Sequence, residues 1–576
     1  MNIAFDPWIP VVTLSGKPKM ASLRDVFIEG EKFADLAVRP HERVSLIRLF
    51  LCVAHAALKG PKDYEEWREV PKRLPDAVKK YLGKLGGKKE DGGEDCFELF
   101  HPEKPWLQVK GLKGVEKVAA EEKRPSKKFK KTQECKSEPE RTSPVALLDF
   151  ELATGNNSTL NDHGGHLSCR PVEPERIALN LLTFQNFSSG GGSPVAQWKT
   201  TRTSQVGNPD APCLSQSMAH CLFRGRSLAE TIHLNLPTFE TIGKVYKSFS
   251  TEKKQGDKCS DIDLGKPVWE YFPRSPDKES NEVINATRTY LGRLVPISRW
   301  ICLIHGSDQM YCCNGFKYDT YKGGFAAEPT AAIKLITKKD KNGVETKERM
   351  VVKVGPSRAL WRELCALLIK RSADGLGGPL AMENAPYDTE FDFHVCAITR
   401  VQASMDITVE SVFHITPTFQ SKFPVYQAEV LGTDKVIGAE GYARKLLRAI
   451  EDYRTTIDVD WKTRVKRTPA KAQYTLRNRL AQTAFLSYWT AVEKNLPLLM
   501  SHIESIGSEA AIPTRDAWRK ILFLAACDAY RVACGRETPR QVWAFAKGWQ
   551  ELTSRKDKTE SDISETRKEE NYELAS

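Results

Sequence analysis

Pairs of acidic residues two positions apart are the first feature of this sequence that could carry out chemistry. Asp261 with Asp263, and Asp458 with Asp460, could form a paired-carboxylate catalytic site. Both pairs lie in turn-like sequence, and neither has a nearby histidine or a glycine-rich segment to complete an active site. The sequence also lacks a Gly-x-x-x-x-Gly-Lys phosphate loop. We therefore expect these carboxylates to be surface charges and the protein not to be an enzyme.

Histidine and cysteine residues in two stretches are candidate zinc ligands. They are His163, His166, Cys169, Cys302, Cys312 and Cys313. Structural zinc sites usually contain paired Cys-x-x-Cys units, and these stretches have none. We therefore expect no metal and no cofactor.

Three consecutive glycines, Gly190, Gly191 and Gly192, follow an apolar helical segment and precede Ser193 and Pro194. A backbone without Cβ atoms can approach another surface closely, as the floor of a groove would require. A flexible turn explains the same triplet, so the triplet alone does not define a site.

Two further segments carry polar groups suited to nucleic acid. Gln402 has both a donor and an acceptor and lies in the β-like run from Val395 to Val409, where an ordinary exposed strand residue is the simpler interpretation. Lys317 and Lys322 are mobile point charges that suit a phosphate or a groove acceptor, although solvated lysines are common.

The elements that position these residues are of mixed type. Residues 3–12 predict an N-terminal hairpin, and the apolar spacing from Pro40 to Lys59 predicts a helix. Between Val145 and Met405, strands and helices intermix without regular βαβ spacing. From 83 to 143 the sequence is rich in Lys, Glu, Gly and Ser, which predicts a lysine-rich, mobile insertion.

The last part of the chain has long amphipathic helical patterns. These cover about 439–453, 470–494, 515–534 and 539–554, and the last begins with a Thr538 cap, Pro539 and Gln541. The predicted fold class is therefore α+β: an irregular mixed domain over 1–430, then a four-helix bundle over 431–556. The charged residues 557–576 are predicted to be disordered.

Composition is ordinary for a globular protein but slightly basic. Lys and Arg number 86 against 74 Asp and Glu, a formal net charge of +12 over 576 residues, which makes a polyanionic partner plausible. The first residues do not form a cationic segment followed by an apolar core, so neither secretion nor a membrane span is expected. Irregularly spaced cysteines within apolar patterns favour a reducing cytoplasm.

Three separated segments, taken in order, resemble the CasA family, the large subunit of the type I-E CRISPR Cascade surveillance complex. The first is Phe5-Asp6-Pro7-Trp8-Ile9-Pro10-Val11. The second runs from Gly155 to His163 and continues through a helix to Phe184-Gln185-Asn186-Phe187-Ser188-Ser189 and the glycine triplet. The third is Thr399-Arg400-Val401-Gln402-Ala403-Ser404. The resemblance spans most of the chain outside the insertion and the tail.

The resemblance implies a role for each candidate residue. Gly190, Gly191 and Gly192 would lie against the minor groove of the protospacer-adjacent motif. A lysine would complete this contact, with Lys317 slightly preferred to Lys322. Gln402, flanked by Val401 and Ala403, would act as a wedge at the first base pair to open. The loop 156–163 would reach the guide's 5′ end and neighbouring subunits. Its docking residues would be Asn157, Leu160, Asn161 and Asp162, with Leu160 as the apolar plug.

The resemblance also implies partners. They would be double-stranded target DNA, CRISPR guide RNA, the backbone, small and 5′-end-capping subunits of Cascade, and a helicase-nuclease effector that does the cutting. Two alternatives stay open: a structural assembly subunit that does not read DNA, and a nucleic-acid enzyme, for which no catalytic motif is present.

Overall fold

The computed structural model describes most of the chain with side chains. The described residues are 1–115, 142–152, 171–203, 207, 209–246, 264–318, 328–339, 345–355, 359–372, 376–385, 388–401, 405–432, 438–467 and 470–554. The backbone divides into two compact units. The first holds 1–334, 349–386 and 391–414, and the second holds 335–348, 387–390 and 415–576.

Fourteen strands and sixteen helices are found in these described ranges. The strands are β1 (Ile9–Thr13), β2 (Pro18–Ala21), β3 (Phe33–Leu36), β4 (Leu112–Gly114), β5 (Ser143–Pro144), β6 (Ala196–Trp198), β7 (Thr201–Arg202), β8 (His220–Arg224), β9 (Arg299–Leu303), β10 (Gln309–Asn314), β11 (Ile333–Lys339), β12 (Glu345–Val351), β13 (Phe391–Val401) and β14 (Met405–Ile415). The helices are α1 (Leu23–Ile28), α2 (Pro40–Leu58), α3 (Tyr64–Gly86), α4 (Pro174–Phe187), α5 (Leu228–Asn235), α6 (Phe239–Tyr246), α7 (Asn281–Arg288), α8 (Tyr290–Leu294), α9 (Leu364–Leu367), α10 (Pro417–Gly432), α11 (Ala439–Ile457), α12 (Trp461–Arg467), α13 (Ala470–Glu493), α14 (Leu496–Ser505), α15 (Ala511–Ala533) and α16 (Pro539–Thr553). The mixed α and β content confirms the predicted class.

The strands of the described part form small separate sheets. Their orders are β2-β1-β3, β5-β10-β9, β11-β12, β14-β13-β8 and β4-β6-β7. The predicted N-terminal hairpin is present, since β1 and β2 pair antiparallel. Trp8, the last residue of the opening Phe-Asp-Pro-Trp sequence, is fully buried. Its indole N–H donates to the carbonyl of Ile3 at 2.8 Å. Trp8, Ile9 and Val11 of the opening motif thus pack in the core, whereas Phe5, Asp6 and Pro7 are exposed.

Two buried helices form the centre of the first unit. In α2 every residue from His41 to His55 is buried, and in α4 every residue from Ile177 to Phe187 is buried. A helix that is apolar nearly all round can be stable only when other elements surround it, which explains why the small sheets and short helices pack around these two. The predicted helix over 40–59 is confirmed.

The predicted lysine-rich insertion near 83–143 needs a later start. α3 continues to Gly86, and Phe97, Leu99, Trp106 and Val109 are all buried in the core. Backbone hydrogen bonds hold this stretch in place, such as that from Ile3 N to Phe97 O at 2.8 Å. Long-range pairing of this kind leaves no periodic pattern in a polar sequence, which is why the sequence indicated a loop. Residues 116–141, with their lysine run, lie outside the described residues.

The second unit contains the four helices predicted from sequence, as α11, α13, α15 and α16, accompanied by α10, α12 and α14. The capping box at Thr538 is present as expected. Helix α11 packs against α13, α15 and α16, and a side chain at Gly548 would collide with Ala449 O and Tyr530 Oη. The continuous part of this unit begins at Ile415, earlier than the expected boundary at 430, because α10 belongs to it.

A four-helix bundle as the whole C-terminal architecture stays a prediction, because three additional described helices share that unit. The tail 557–576 lies outside the described residues. Within the described ranges, every helix is too short or too polar to cross a membrane.

Candidate nucleic-acid interface

The glycine triplet forms an open turn directly after α4. The helix ends at Phe187, and the next residue, Ser188, donates its backbone N–H to Phe184 O. Gly191 and Gly192 are exposed, while Gly190 is half-buried. Gly191 has φ +140°, a backbone conformation that residues with a Cβ rarely adopt, and a Cβ placed there would meet no atom within 4 Å. Glycine is therefore needed here for its backbone shape, and Gly191, which takes part in a β-bridge, is exposed on its outer side.

A buried arginine fixes the base of this turn. Arg299, at the start of β9, is 3% exposed and donates to the carbonyls of Ser189 at 2.9 Å, Pro209 at 3.0 Å and Ser188 at 3.3 Å. Burial lowers the pKa of Arg299 to about 10, so the guanidinium still carries its charge at neutral pH. One planar cation thus ties Ser188 and Ser189, directly before the glycines, to the more distant segment at Pro209.

One side-chain contact links the turn to Asp210, and a second links it to the segment that carries Lys317. Gly190 N donates to the Asp210 carboxylate at 2.7 Å, and the Ser193 hydroxyl donates to the side-chain carbonyl of Asn314. Asn314 is the last residue of β10, and Lys317 lies three residues further on with its side chain exposed. The structure therefore brings Lys317 close to the glycine turn. Lys322 lies outside the described residues.

Phe316 is the anchor that holds the Lys317 segment in place. Its ring lies edge-on to Trp300, at a centroid distance of 5.6 Å, and edge-on to Trp198 at 6.4 Å. Trp198 and Trp300 contact each other at 4.9 Å. Because Phe316 is buried in this cluster, its exposed neighbour Lys317 is held at the surface by a rigid support.

The predicted wedge residues lie between two long strands. β13 ends at Val401 and β14 begins at Met405, so Gln402 and Ala403 fall in the three-residue connection, which lies outside the described residues, as does the Val401 side chain. His394 Nε2 contacts Glu410 Oε1 at 2.6 Å, and His414 Nδ1 contacts Asp392 Oδ1 at 3.0 Å. Asp392 lies nine residues before Val401 and His414 lies nine residues after Met405, as expected when β13 and β14 pair as an antiparallel hairpin.

The predicted docking residues Asn157, Leu160, Asn161 and Asp162 lie outside the described residues, but both ends of their loop are described. Asp149, before the loop, accepts from Arg39 at 2.7 Å and from Arg176, after the loop, at 3.0 Å. Glu42 accepts from the same two arginines, at 2.6 Å and 2.8 Å. Two arginines and two carboxylates therefore join the ends of the loop.

This cluster keeps its charges over a wide pH range. Burial alone would raise the pKa of Asp149, but its hydrogen bond and charge interaction with Arg39 outweigh burial and hold the pKa at about 2. Because the folded-state pKa lies below the ordinary value of 3.8, the stabilisation is complete above that value and is lost as the pH falls through about 2. The anchors of the loop are therefore insensitive to pH near neutrality.

A buried charge triad, which the sequence analysis did not predict, contacts the helix end before the glycine triplet and the segment that carries Lys317. Arg48 in α2 and Arg293 in α8 both pair with Glu328, and all three are at most 3% exposed. Arg48 Nε also donates at 3.0 Å to Asn186 Oδ1, near the end of α4. Arg293 lies over the ring of Tyr318, 5.4 Å from its centroid. The only sequence signal was a charged residue, Arg48, inside an apolar helix.

The described residues give little support for catalysis or metal binding. Among them, no group of three or more His, Cys, Asp or Glu side chains could hold a metal ion. Burial raises the pKa of Cys312 to about 11 and that of Cys313 to about 12, which keeps both thiols protonated. Asp458 lies 3.7 Å from Arg454 in an ion pair. The pair Asp261 and Asp263, with His163, His166 and Cys169, lies outside the described residues.

The role of Arg299 can be tested by changing its shape while keeping its charge. Arg299→Lys is expected to speed amide hydrogen exchange in 188–193 and to lower the free energy of unfolding by about 1–3 kcal/mol, because lysine cannot reach three carbonyls with one planar group. Arg202→Lys, at an exposed position, is the matched control. Exchange in the turn that equals that of the control would mean that Arg299 does not hold it.

Comparison with known proteins shows similarity to one family over nearly the whole chain. A family model described as CRISPR-associated protein Cse1 matches residues 2–529. The CRISPR-associated protein CasA/Cse1 of Thermus thermophilus is 25% identical over 584 residues, covering 96% of each chain.

Solved structures agree in fold over nearly the full length. Thermus thermophilus CasA has a TM-score of 0.62 at 20% identity, covering 96% of this chain and 98% of that one. Cse1 from Acidimicrobium ferrooxidans has a TM-score of 0.65 at 16% identity, covering 96% of each chain. A chain of a CRISPR RNA-guided surveillance complex has a TM-score of 0.64 at 17% identity, covering 96% and 99%. At these identities the structural likeness establishes the fold alone.

Proposed function

The chain belongs to the CRISPR-associated Cse1 (CasA) family, and from this we propose that it is the large, non-catalytic subunit of a type I-E RNA-guided surveillance complex, Cascade. Its partners are the CRISPR guide RNA, the backbone, small and 5′-end-capping subunits, double-stranded target DNA and a helicase-nuclease effector that it helps to recruit. The observation that carries the proposal is the family match over 2–529.

In this proposal the subunit recognises the protospacer-adjacent motif from the minor groove. Gly190, Gly191 and Gly192 lie on the groove floor, where a backbone without side chains can approach the base edges, and Lys317 or Lys322 contacts a groove acceptor or a phosphate. The minor groove offers a degenerate hydrogen-bond pattern, so the subunit accepts several related motifs. The exposed turn at Gly191 and the nearby Lys317 support this assignment.

The subunit also helps to open the duplex. Gln402, at the tip of the β13–β14 hairpin with Val401 and Ala403 beside it, acts as a wedge at the first base pair after the motif. Guide pairing then reads the remaining sequence, a division of labour known for another RNA-guided system. The loop with Asn157, Leu160, Asn161 and Asp162 docks at the guide's 5′ end and on neighbouring subunits, between the anchored ends at Asp149 and Arg176.

The wedge role can be separated from assembly by pre-opening the DNA. With the reconstituted complex, Gln402→Ala is expected to slow guide pairing on a fully paired duplex roughly 10-fold, because unstacking the first step costs a few kcal/mol. A duplex mismatched at the first two base pairs after the motif should restore the wild-type rate. Equal slowing on both duplexes would point to a defect other than wedging. No slowing on either would favour a structural subunit without a role in opening.

A further inference from the structure

A small sheet beside the glycine turn presents a row of polar and basic side chains to solvent. In the sheet β4-β6-β7, Lys113 is the register partner of Gln197, and Gln197 is the partner of Arg202. Partners in adjacent strands lie on the same face, and all three side chains are exposed. On the opposite face, Leu112 and Trp198 are buried. We call the exposed face, together with Lys199, the β4-β6-β7 patch.

Among the described residues, no carboxylate pairs with the cations of this patch. Lys199 lies in the turn between β6 and β7 and is exposed. Within the described part of the chain, Lys113, Lys199 and Arg202 take part in no ion pair. Gln197 Nε2 donates to Lys199 O at 2.9 Å, which fixes the turn. With adjacent strands about 4.8 Å apart, Lys113 and Arg202 are separated by about 10 Å at the backbone.

The patch is continuous with the glycine turn. Strand β6 begins at Ala196, four residues after Gly192, a span of at most about 14 Å. β4 joins the same segment, since Val115 N donates to Val195 O at 3.4 Å. A duplex whose groove lies on the turn would therefore pass its sugar-phosphate backbone within reach of these cations.

We propose that Lys113, Lys199 and Arg202 bind the phosphate backbone of the duplex next to the recognised motif. This rests on the proposed function of the glycine turn and adds to it a contact that carries no sequence information. Side chains that meet only phosphates contribute affinity and salt dependence equally for every sequence. The patch thus holds the duplex on the turn while the motif is read.

The test uses the reconstituted guide-RNA complex with a triple variant, Lys113→Gln, Lys199→Gln and Arg202→Gln. Affinity for target duplexes is expected to fall roughly 10- to 100-fold, by the same factor with and without the motif. The slope of log affinity against log salt should become shallower by about 2–3 units, since each phosphate contact contributes about 0.9. The matched control removes three exposed positive charges in and just before α3: Lys62→Gln, Arg68→Gln and Arg73→Gln.

A salt slope and an affinity equal to those of the control would overturn the proposal. It would also be overturned if the triple variant impaired retention of guide RNA while the assembled complex bound DNA normally, because the patch would then contact RNA. If the wild-type complex had no motif preference but the triple variant still weakened DNA binding, the patch would stand and the motif-reading function would fail. The two claims can therefore fail separately.

Discussion

Replacing Gly191 with aspartate is expected to remove most of the preference of the assembled complex for DNA that carries the motif. The backbone at this residue has φ +140°, which disfavours any side chain, and the new carboxylate would project into the space where nothing lies within 4 Å. In the proposed complex that space is the minor groove, so the carboxylate would meet bases and phosphates. Loss of one good base contact corresponds to about 1–3 kcal/mol, or roughly 5- to 150-fold in affinity.

The measurement is the ratio of the dissociation constants for duplexes with and without the motif. Gly16→Asp is the matched control, because Gly16 also has positive φ, +78°, with nothing within 4 Å, and lies in the turn between β1 and β2. Gly191→Ala adds a Cβ but no charge, so its motif preference shows how much of the loss comes from backbone strain alone. A Gly191→Asp complex that prefers the motif as strongly as the Gly16→Asp complex would exclude the turn from motif reading.

The second large effect is expected at Glu328. Glu328→Gln would leave the buried guanidinium groups of Arg48 and Arg293 without their shared carboxylate, and breaking a buried ion pair in this way costs about 3–5 kcal/mol of unfolding free energy. Burial alone would raise the pKa of Glu328, but the two arginines outweigh it and hold the pKa below its ordinary value. Glu328 is therefore charged at neutral pH.

Urea denaturation followed by tryptophan fluorescence measures this loss. Glu69→Gln is the control, because Glu69 and Lys72 form an exposed ion pair at 3.0 Å, and such pairs contribute about 0–1 kcal/mol. A loss at Glu328 no larger than that at Glu69 would mean that the triad does not stabilise the first unit. Because Arg48 also contacts Asn186 and Arg293 contacts Tyr318, we expect faster amide exchange at both site segments in this variant.

Local sequence patterns predicted the elements whose formation depends on neighbouring residues. The apolar spacing of 40–59 predicted α2, and the Thr538 cap with Pro539 predicted the start of α16. Alternating β-forming residues predicted the β1–β2 hairpin. In each case the hydrogen bonds or packing that define the element join residues a few positions apart.

Contacts between distant residues could not be predicted in this way. Arg48 and Glu328 are 280 residues apart, and no local pattern indicates that they pair. Phe97 and Trp106 stand in a stretch rich in lysine and glycine. Their burial depends on neighbours such as Trp269 and Trp8, which the local sequence does not specify.

In the candidate site, too, features set by local sequence were predicted and features set by distant contacts were not. The glycine triplet was predicted as a candidate, and the positive φ at Gly191 explains why a glycine is needed at that position. Arg299, which binds carbonyls on two separate segments, was not predicted, because an arginine at the start of a β-strand has no distinctive sequence signal. Neither was the β4-β6-β7 patch, since its row of side chains comes from three segments that only the sheet register aligns.

The central claim is that this chain makes the binding of target DNA depend on the adjacent motif. The most direct measurement is the affinity of the reconstituted guide-RNA complex, with the chain present or omitted, for duplexes with and without candidate motifs. Our account predicts a clear preference for one motif set when the chain is present and none when it is omitted. Equal binding of all the duplexes by the complete complex, or an unchanged preference without the chain, would contradict it and leave the chain as a structural subunit.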